Sequence, residues 1–213
     1  MTESSSTANT TPAQQDCSKE KGIWLFNHAS LAANTEQQFI GQKDVDLTSG
    51  GRAACEALAQ KFVEGMASQK PEAFFCSDLR SAVTCADILR RAFRPAGGTM
   101  PVIADPGFRE LNYGAWEGLT REDVEKRYPG ALDELAKHPT EYAPAGGESL
   151  TMLKSRSLMA VLRARLHTPD GIIVVLGHTE FNRCLLADYL ALPLEEADHL
   201  PQPWLAHSFL ENR

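Results

Sequence analysis

Ile172-Ile173-Val174-Val175-Leu176-Gly177-His178 is the stretch on which the fold turns. Its first four residues are β-branched and fit a pleated strand. A strand that is apolar at every position has both faces covered, as in the middle of a parallel sheet. The run stops at Gly177-His178, and a helical pattern follows from about Glu180 to Leu190. The histidine therefore stands where a buried strand gives way to a helix. Near the other end of the chain, Ile23-Trp24-Leu25-Phe26 has the same build and stops at Asn27-His28. Ligands of open α/β sheets bind outside the carboxyl ends of the strands. A lone histidine there would read as a loop or core residue with a satisfied hydrogen bond; two in matched positions make candidate site residues. His138, His167, His199 and His207 lie in rim or tail segments without that context.

Between the two strands, helix and strand patterns alternate. Cys55, Leu58, Ala59, Phe62, Val63 and Met66 fall at helical spacing, predicting an amphipathic helix from about Gly51 to Ser68. Ala73-Phe74-Phe75-Cys76 reads as a buried strand. Ser77 is the expected cap of the next helix, whose apolar face is Leu79, Ala82, Val83, Ala86, Leu89 and Phe93. Val102-Ile103 suggests a short strand. Residues 106–118, dense in glycine and aromatics, suggest an ordered loop. Thr120, followed by Glu122 and Asp123, opens a helix. Pro129, Pro139 and Pro144 indicate short helices and loops on the rim of the sheet. Leu150, Leu153, Leu158, Val161, Leu162 and Leu166 mark a long helix, and residues 204–210 offer an edge strand. The alternation predicts an α/β fold with a mostly parallel sheet. One domain is expected over 21–213, behind a Ser/Thr/Gln-rich leader over 1–20 that is expected to be disordered.

The composition narrows the function. Asp and Glu number 28 against 21 Lys and Arg, a formal net charge of -7. Binding to nucleic acid gains from counterion release by a basic protein, so DNA and RNA are poor partners. No polybasic face is available for anionic lipid. An anionic small-molecule substrate must find its positive field locally. The five cysteines (Cys17, Cys55, Cys76, Cys85 and Cys184) are odd in number, irregularly spaced and free of any CxxC pair. They read as buried, reduced thiols rather than a disulfide frame or a zinc site. No apolar run approaches the ~18 residues of a membrane span, and the first residues lack the apolar core of a signal peptide. A cytoplasmic location is the expectation.

Five motifs then fall in order along the chain. Asn27-His28-Ala29 is followed by Asn34, Gly41, Asp44, Leu47-Thr48 and Gly51. Next come Ser77-Asp78-Leu79-Arg80-Ser81-Ala82-Val83-Thr84-Cys85-Ala86 and Phe108-Arg109-Glu110-Leu111-Asn112-Tyr113-Gly114-Ala115-Trp116-Glu117-Gly118. Gly146-Gly147-Glu148-Ser149 and Leu176-Gly177-His178-Thr179-Glu180 complete the set. From about Ile23 to Leu192 the chain resembles the histidine phosphatase superfamily, in its phosphoglycerate mutase and α-ribazole phosphatase branch. The resemblance implies a three-layer sandwich with helices on both faces of the sheet. It also implies metal-free phosphomonoester hydrolysis with no cofactor. His28 would attack phosphorus and carry it as phosphohistidine, splitting one displacement into two. His178 would hydrogen-bond the transferring group, and Glu110 would protonate the leaving oxygen and then activate water. Asn112 and Glu117 are expected to order their loop.

The departures from the family pattern concentrate on one task. Asn27 stands where the family has the arginine of Arg-His-Gly, and Ser81 where it has a second arginine, with Ala82 and Ala86 fixing the register. Arg80 is one residue away, about 100° around a helix. Leu31 replaces a threonine, and Ala29 and Thr179 replace the glycines after the histidines. A hydrogen bond to a charged group is worth roughly 1.5–3 kcal/mol, so two missing guanidinium clamps amount to ~3–6 kcal/mol, or about 10²–10⁴-fold. The expected phosphate pocket is therefore altered, with Asn27, Asn34, Arg80, Ser81 and Thr179 as its substrate-binding residues. Arg52, Arg109 and Arg183 are further candidates for a rebuilt clamp. Glu180 would repel a dianion if it faced inward, and otherwise sits exposed in the first turn of its helix. The alternatives are an enzyme acting on a non-phosphate substrate and a non-catalytic relative that binds a ligand or a regulatory partner.

Overall fold

The computed structural model describes residues 21–31, 37–65, 71–93 and 100–211; the expected leader and Asn34 lie outside them. Among the described residues, five strands form the sheet: β1 (Gly22–Asn27), β2 (Ala73–Cys76), β3 (Val102–Ala104), β4 (Ile172–Gly177) and β5 (His207–Glu211). Their spatial order is β3-β2-β4-β1-β5. All neighbouring pairs run parallel except β1 and β5. The apolar run 172–176 is thus the central strand, buried at every position, for the reason its composition predicts: helices cover both faces.

The helices are α1 (Ser49–Gly65), α2 (Arg80–Ala92), α3 (Arg121–Arg127), α4 (Ala131–Lys137), α5 (Leu150–His167) and α6 (Thr179–Tyr189). Strand side chains alternate between faces, and the core divides accordingly. Phe26, Phe74, Val174 and Leu176 pack with Ala59, Phe62, Ala82 and Leu89 from α1 and α2. Leu25, Phe75, Ile173 and Val175 pack with Leu153, Ala160, Phe181 and Leu185 from α5 and α6. The result is a three-layer α/β/α sandwich. No helix among the described residues is long and apolar enough to cross a membrane.

Local signals are met to different degrees. Thr120 caps α3 in a reciprocal box with Asp123. The long helix forms over Leu150–His167, yet the face it buries is Leu153, Ser157, Ala160 and Ala164. Leu162 and Leu166 stay 49% and 73% exposed. Close approach of α5 to the sheet selects small residues, which a count of large apolar ones misses. Between β3 and α3, two 3-10 turns (Pro106–Phe108 and Gly114–Trp116) shape the aromatic loop. Gly114 has φ +51°, and a Cβ there would lie 2.4 Å from the Ala145 carbonyl oxygen, so only glycine lets the two loops meet.

Candidate active site

Asn27 lies opposite Gly177 in the parallel β1–β4 pair, so the residues that follow them are brought side by side. The rings of His28 and His178 have centroids 4.8 Å apart and planes at 67°, and both are buried. Nδ1 of His28 lies 2.8 Å from the Ala29 carbonyl oxygen. A carbonyl only accepts, so Nδ1 carries the proton and Nε2 keeps its lone pair. Burial lowers the His28 pKa to about 4, against the opposing effect of that backbone bond, and the ring is neutral at physiological pH. Nε2 of His178 lies 2.8 Å from the Ser77 hydroxyl, which leaves Nδ1 as its other polar atom. Burial, with help from His28 and Arg156, holds His178 well below the usual histidine range. Ser77 is therefore not the helix cap expected of it. Leu79 occupies the cap position of α2 with no side-chain cap bond, and the Ser77 hydroxyl, near the Leu79 N–H at 3.4 Å, is turned to the histidine.

Glu110 enters from the loop after Phe108. Its Oε1 accepts from the N–H groups of Leu111 (2.8 Å), Glu180 (3.1 Å) and Phe181 (3.2 Å), and its Oε2 from Glu180 at 3.1 Å. The carboxyl thus sits on the N-terminus of α6, where the helix dipole favours negative charge. Burial works the other way and is the larger effect. With repulsion from Glu180 added, the pKa rises to about 7, so Glu110 can hold or release a proton near neutrality.

His28, His178, Glu110, Ser81 and Thr179 line one cavity of about 130 Å³. Pockets for drug-sized ligands span roughly 300–1,000 Å³, so this one takes only the head of a ligand. Beside it lies a larger cavity of about 290 Å³, walled by Phe39, Tyr113, Trp116 and Tyr142. Glu110 and Thr179 line the first and their chain neighbours Leu111 and Glu180 line the second. Glu180 faces that second cavity, paired with Arg183 at 2.7 Å.

Among the described residues, the arginines do not converge on the histidines. Arg80 donates Nε to Asp44 at 2.9 Å and Nη2 to the Asp44 carbonyl at 2.8 Å, and it is absent from the cavity lining. Arg109 holds Asp78 through two bonds of 2.6 Å. Arg52 is bound to Asp46, and Arg183 to Glu180 and Asp198. The cation that does line the cavity is Lys43, an exposed residue of the loop before α1. Asn27 also differs from expectation. It is fully buried, and its Nδ2 donates to the Gln202 carbonyl (2.9 Å), the Pro203 carbonyl (3.3 Å) and Thr179 Oγ1 (3.2 Å). It fastens the C-terminal segment to the end of β1 rather than lining the cavity. That segment brings Trp204 over His28, with ring centroids 5.1 Å apart, and Leu205 behind it takes φ +61°.

One residue organises the acid side from behind. Arg156 of α5 binds Glu148 through Nε and Nη2, both at 2.8 Å, and donates to the carbonyls of Gly107, Arg109 and Glu110 at 2.8–3.0 Å. Glu148 in turn accepts from Asn112 N–H at 3.1 Å, which gives the Gly146–Ser149 motif a physical purpose. Glu117 accepts from the N–H groups of Gly41, Gln42 and Tyr113, and Asn112 from that of Gly114, so both order their loops as expected. Lys43, Trp204 and Arg156 escaped the sequence reading. Lys43 sits inside the Gly41–Thr48 motif, the signal that marks its loop for the site; the other two carry none.

Known proteins place the chain. It is 30% identical over 179 residues to a glucosyl-3-phosphoglycerate phosphatase of Mycolicibacterium vanbaalenii, covering 80% of this chain and 75% of that one. It is 29% identical over 155 residues to phosphoglycerate mutase-like protein 4 of Arabidopsis thaliana, covering 72% of this chain and 64% of that one. Among solved structures, YhfR of Bacillus stearothermophilus superposes with a TM-score of 0.76 at 25% identity, over 89% of this chain and 90% of that one. Other relatives are named acid phosphatase and phosphoglycerate mutase, so the chain is of phosphatase- or mutase-like hydrolase type. The family model of the histidine phosphatase superfamily (branch 1) matches residues 23–212, and the chain belongs to that family.

Proposed function

We propose that the chain is a cytoplasmic phosphomonoester hydrolase with an altered phosphate pocket, acting on a small-molecule substrate through phosphohistidine at His28. The observation that carries this reading is the neutral His28, its Nδ1 proton held by Ala29 and its Nε2 lone pair retained, in one cavity with His178 and a carboxyl of pKa about 7. Nε2 of His28 attacks phosphorus. Glu110, protonated, gives its proton to the departing oxygen, and as carboxylate it then takes one from the water that releases phosphate. His178 donates to a phosphoryl oxygen from Nδ1. Lys43 supplies the positive charge, with Ser81 and Thr179 as neutral hydrogen-bonders. The leaving group extends into the aromatic cavity. The free thiols of Cys55, Cys76, Cys85 and Cys184 support the cytoplasmic placement.

A second reading is favoured by the cavity lining, in which Lys43 is the one cation among the described residues: a ligand less anionic than a phosphate, turned over or simply bound. Hydrolysis of an aryl phosphate from pH 5 to 8, beside His28→Ala, separates the two. Turnover that vanishes in the variant is the expected result. Turnover equal to that of the variant rejects the phosphatase reading.

A further inference from the structure

Cys55 on α1 and Cys85 on α2 meet beneath the end of β1, with their Sγ atoms 2.7 Å apart and exposures of 0% and 1%. That separation is far inside the ~3.5–4.0 Å optimum for non-bonded heavy atoms. It is about 0.7 Å longer than a covalent S–S bond. Ala29 belongs to the same buried cluster as both thiols, and its backbone N–H favours the thiolate form of each. The carbonyl of the same residue receives the Nδ1 proton of His28. One residue therefore joins the thiol pair to the imidazole.

We propose that Cys55 and Cys85 form a reversible disulfide on exposure to a hydroperoxide, and that this bond displaces Ala29 and with it the His28 ring. The Cys55 thiolate attacks one peroxide oxygen, so an S–O bond forms, the O–O bond breaks and hydroxide departs. Cys85 sulfur then attacks Cys55 sulfur, so S–S forms and S–O breaks with loss of a second hydroxide. The two thiol protons convert the hydroxides to water. Two thiols are oxidised and one peroxide is reduced. The two sulfurs share one hydrogen bond in which either can be the donor; with Cys85 as the donor, Cys55 is the attacking sulfur. Cys76 and Cys184 are pushed by burial to about 12 and stay inert. Reducing compartments keep most thiols apart, and the disulfides that do form there are commonly transient and redox-sensing.

The full chain carrying Cys17→Ser is treated with hydrogen peroxide. The expected result is a mass loss of two hydrogens per chain, a cross-linked peptide joining Cys55 to Cys85, and recovery of both thiols with dithiothreitol. Cys85→Ser in the same background should give no cross-link and a sulfenic acid at Cys55 that dimedone traps. The imidazole NMR signals of His28 should move on oxidation of the first protein and stay in place in the second. Thiols that remain free at peroxide levels that oxidise Cys17 in the unaltered chain overturn the proposal. So does a cross-link that leaves the His28 signals unmoved. Neither readout needs turnover, so the outcome is separate from that of the phosphatase reading.

Discussion

The two halves of the cavity are built to different tolerances. On the acid side, Glu110 is held by three backbone N–H groups, and the loop that carries it is pinned by the five donations of Arg156. On the opposite side lie the buried Ser81 and the exposed cation Lys43, and the nearby guanidinium groups are committed to Asp44 and Asp78. The proton-handling half needs position to within a fraction of an ångström and has a rigid frame. On the proposed reading, the charge-binding half needs field more than position, and the exposed ammonium of Lys43 would supply it. On the same proposed reading, the difference teaches that proton transfer is the guarded function and anion affinity the adjustable one.

The largest effect is expected at the rigid side. Glu110→Gln should lower kcat by about 10²–10⁴-fold, the usual worth of a general acid. In the parent protein, log kcat/KM should rise through about pH 4 as His28 becomes neutral and fall above about pH 7 as Glu110 ionises. The same substitution should stabilise the protein. A carboxyl whose folded pKa is raised binds more protons in the folded state, so its contribution is full below the unfolded value of 4.5 and is lost as pH rises through about 7. Glu110→Gln should therefore gain about 1–3 kcal/mol at pH 8 and nothing at pH 4.5 in urea unfolding, an order-of-magnitude figure. Equal stabilities at pH 8 would mean the carboxyl is not strained by burial.

Arg156→Ala comes next. Loosening the loop by about an ångström should cost ~10–100-fold in kcat/KM, shift the basic limb of the pH profile, and cost about 2–4 kcal/mol by leaving Glu148 unpaired. A loss of stability with an unmoved pH limb would make Arg156 a structural residue only. At the adjustable side, Lys43→Ala should raise KM about 3–10-fold with kcat nearly constant and flatten the salt dependence of kcat/KM; Lys43→Arg should restore both. The smallest effect is expected for Arg80→Ala, within ~2-fold on orthovanadate binding, because its guanidinium faces Asp44 as an exposed pair. A large loss there would mean that Arg80 swings inward and that the anion side is better built than its partners indicate.

The same contrast governs what could be read from sequence. His28, His178 and Glu110 were legible because strand ends and a dense motif mark them, and Ser81 because the alanines around it fix the helix register. Arg80, one step along α2 from the family's arginine position, pairs with Asp44 outside the cavity lining. Arg156 lay hidden because α5 was identified by its large apolar residues, while its working polar residue bonds a loop nearly fifty positions away. Trp204 reaches His28 only through the antiparallel return of β5 and the left-handed backbone at Leu205, neither of which has a local sequence signature. Lys43 looked like any loop lysine until topology brought its loop to the mouth of the cavity.

The contact between Trp204 and His28, with ring planes at 43°, also gives the molecule an optical handle. Of the three tryptophans, Trp116 is almost fully buried, whereas Trp204 is 42% exposed and rests on the imidazole. An imidazolium or a phosphorylated ring beside an indole alters its emission. In a Trp24→Phe, Trp116→Phe background, steady-state fluorescence becomes a titration of His28 near pH 4. The same signal in a stopped-flow instrument becomes a clock for the arrival and departure of a phosphoryl group, with no label attached and no product to assay.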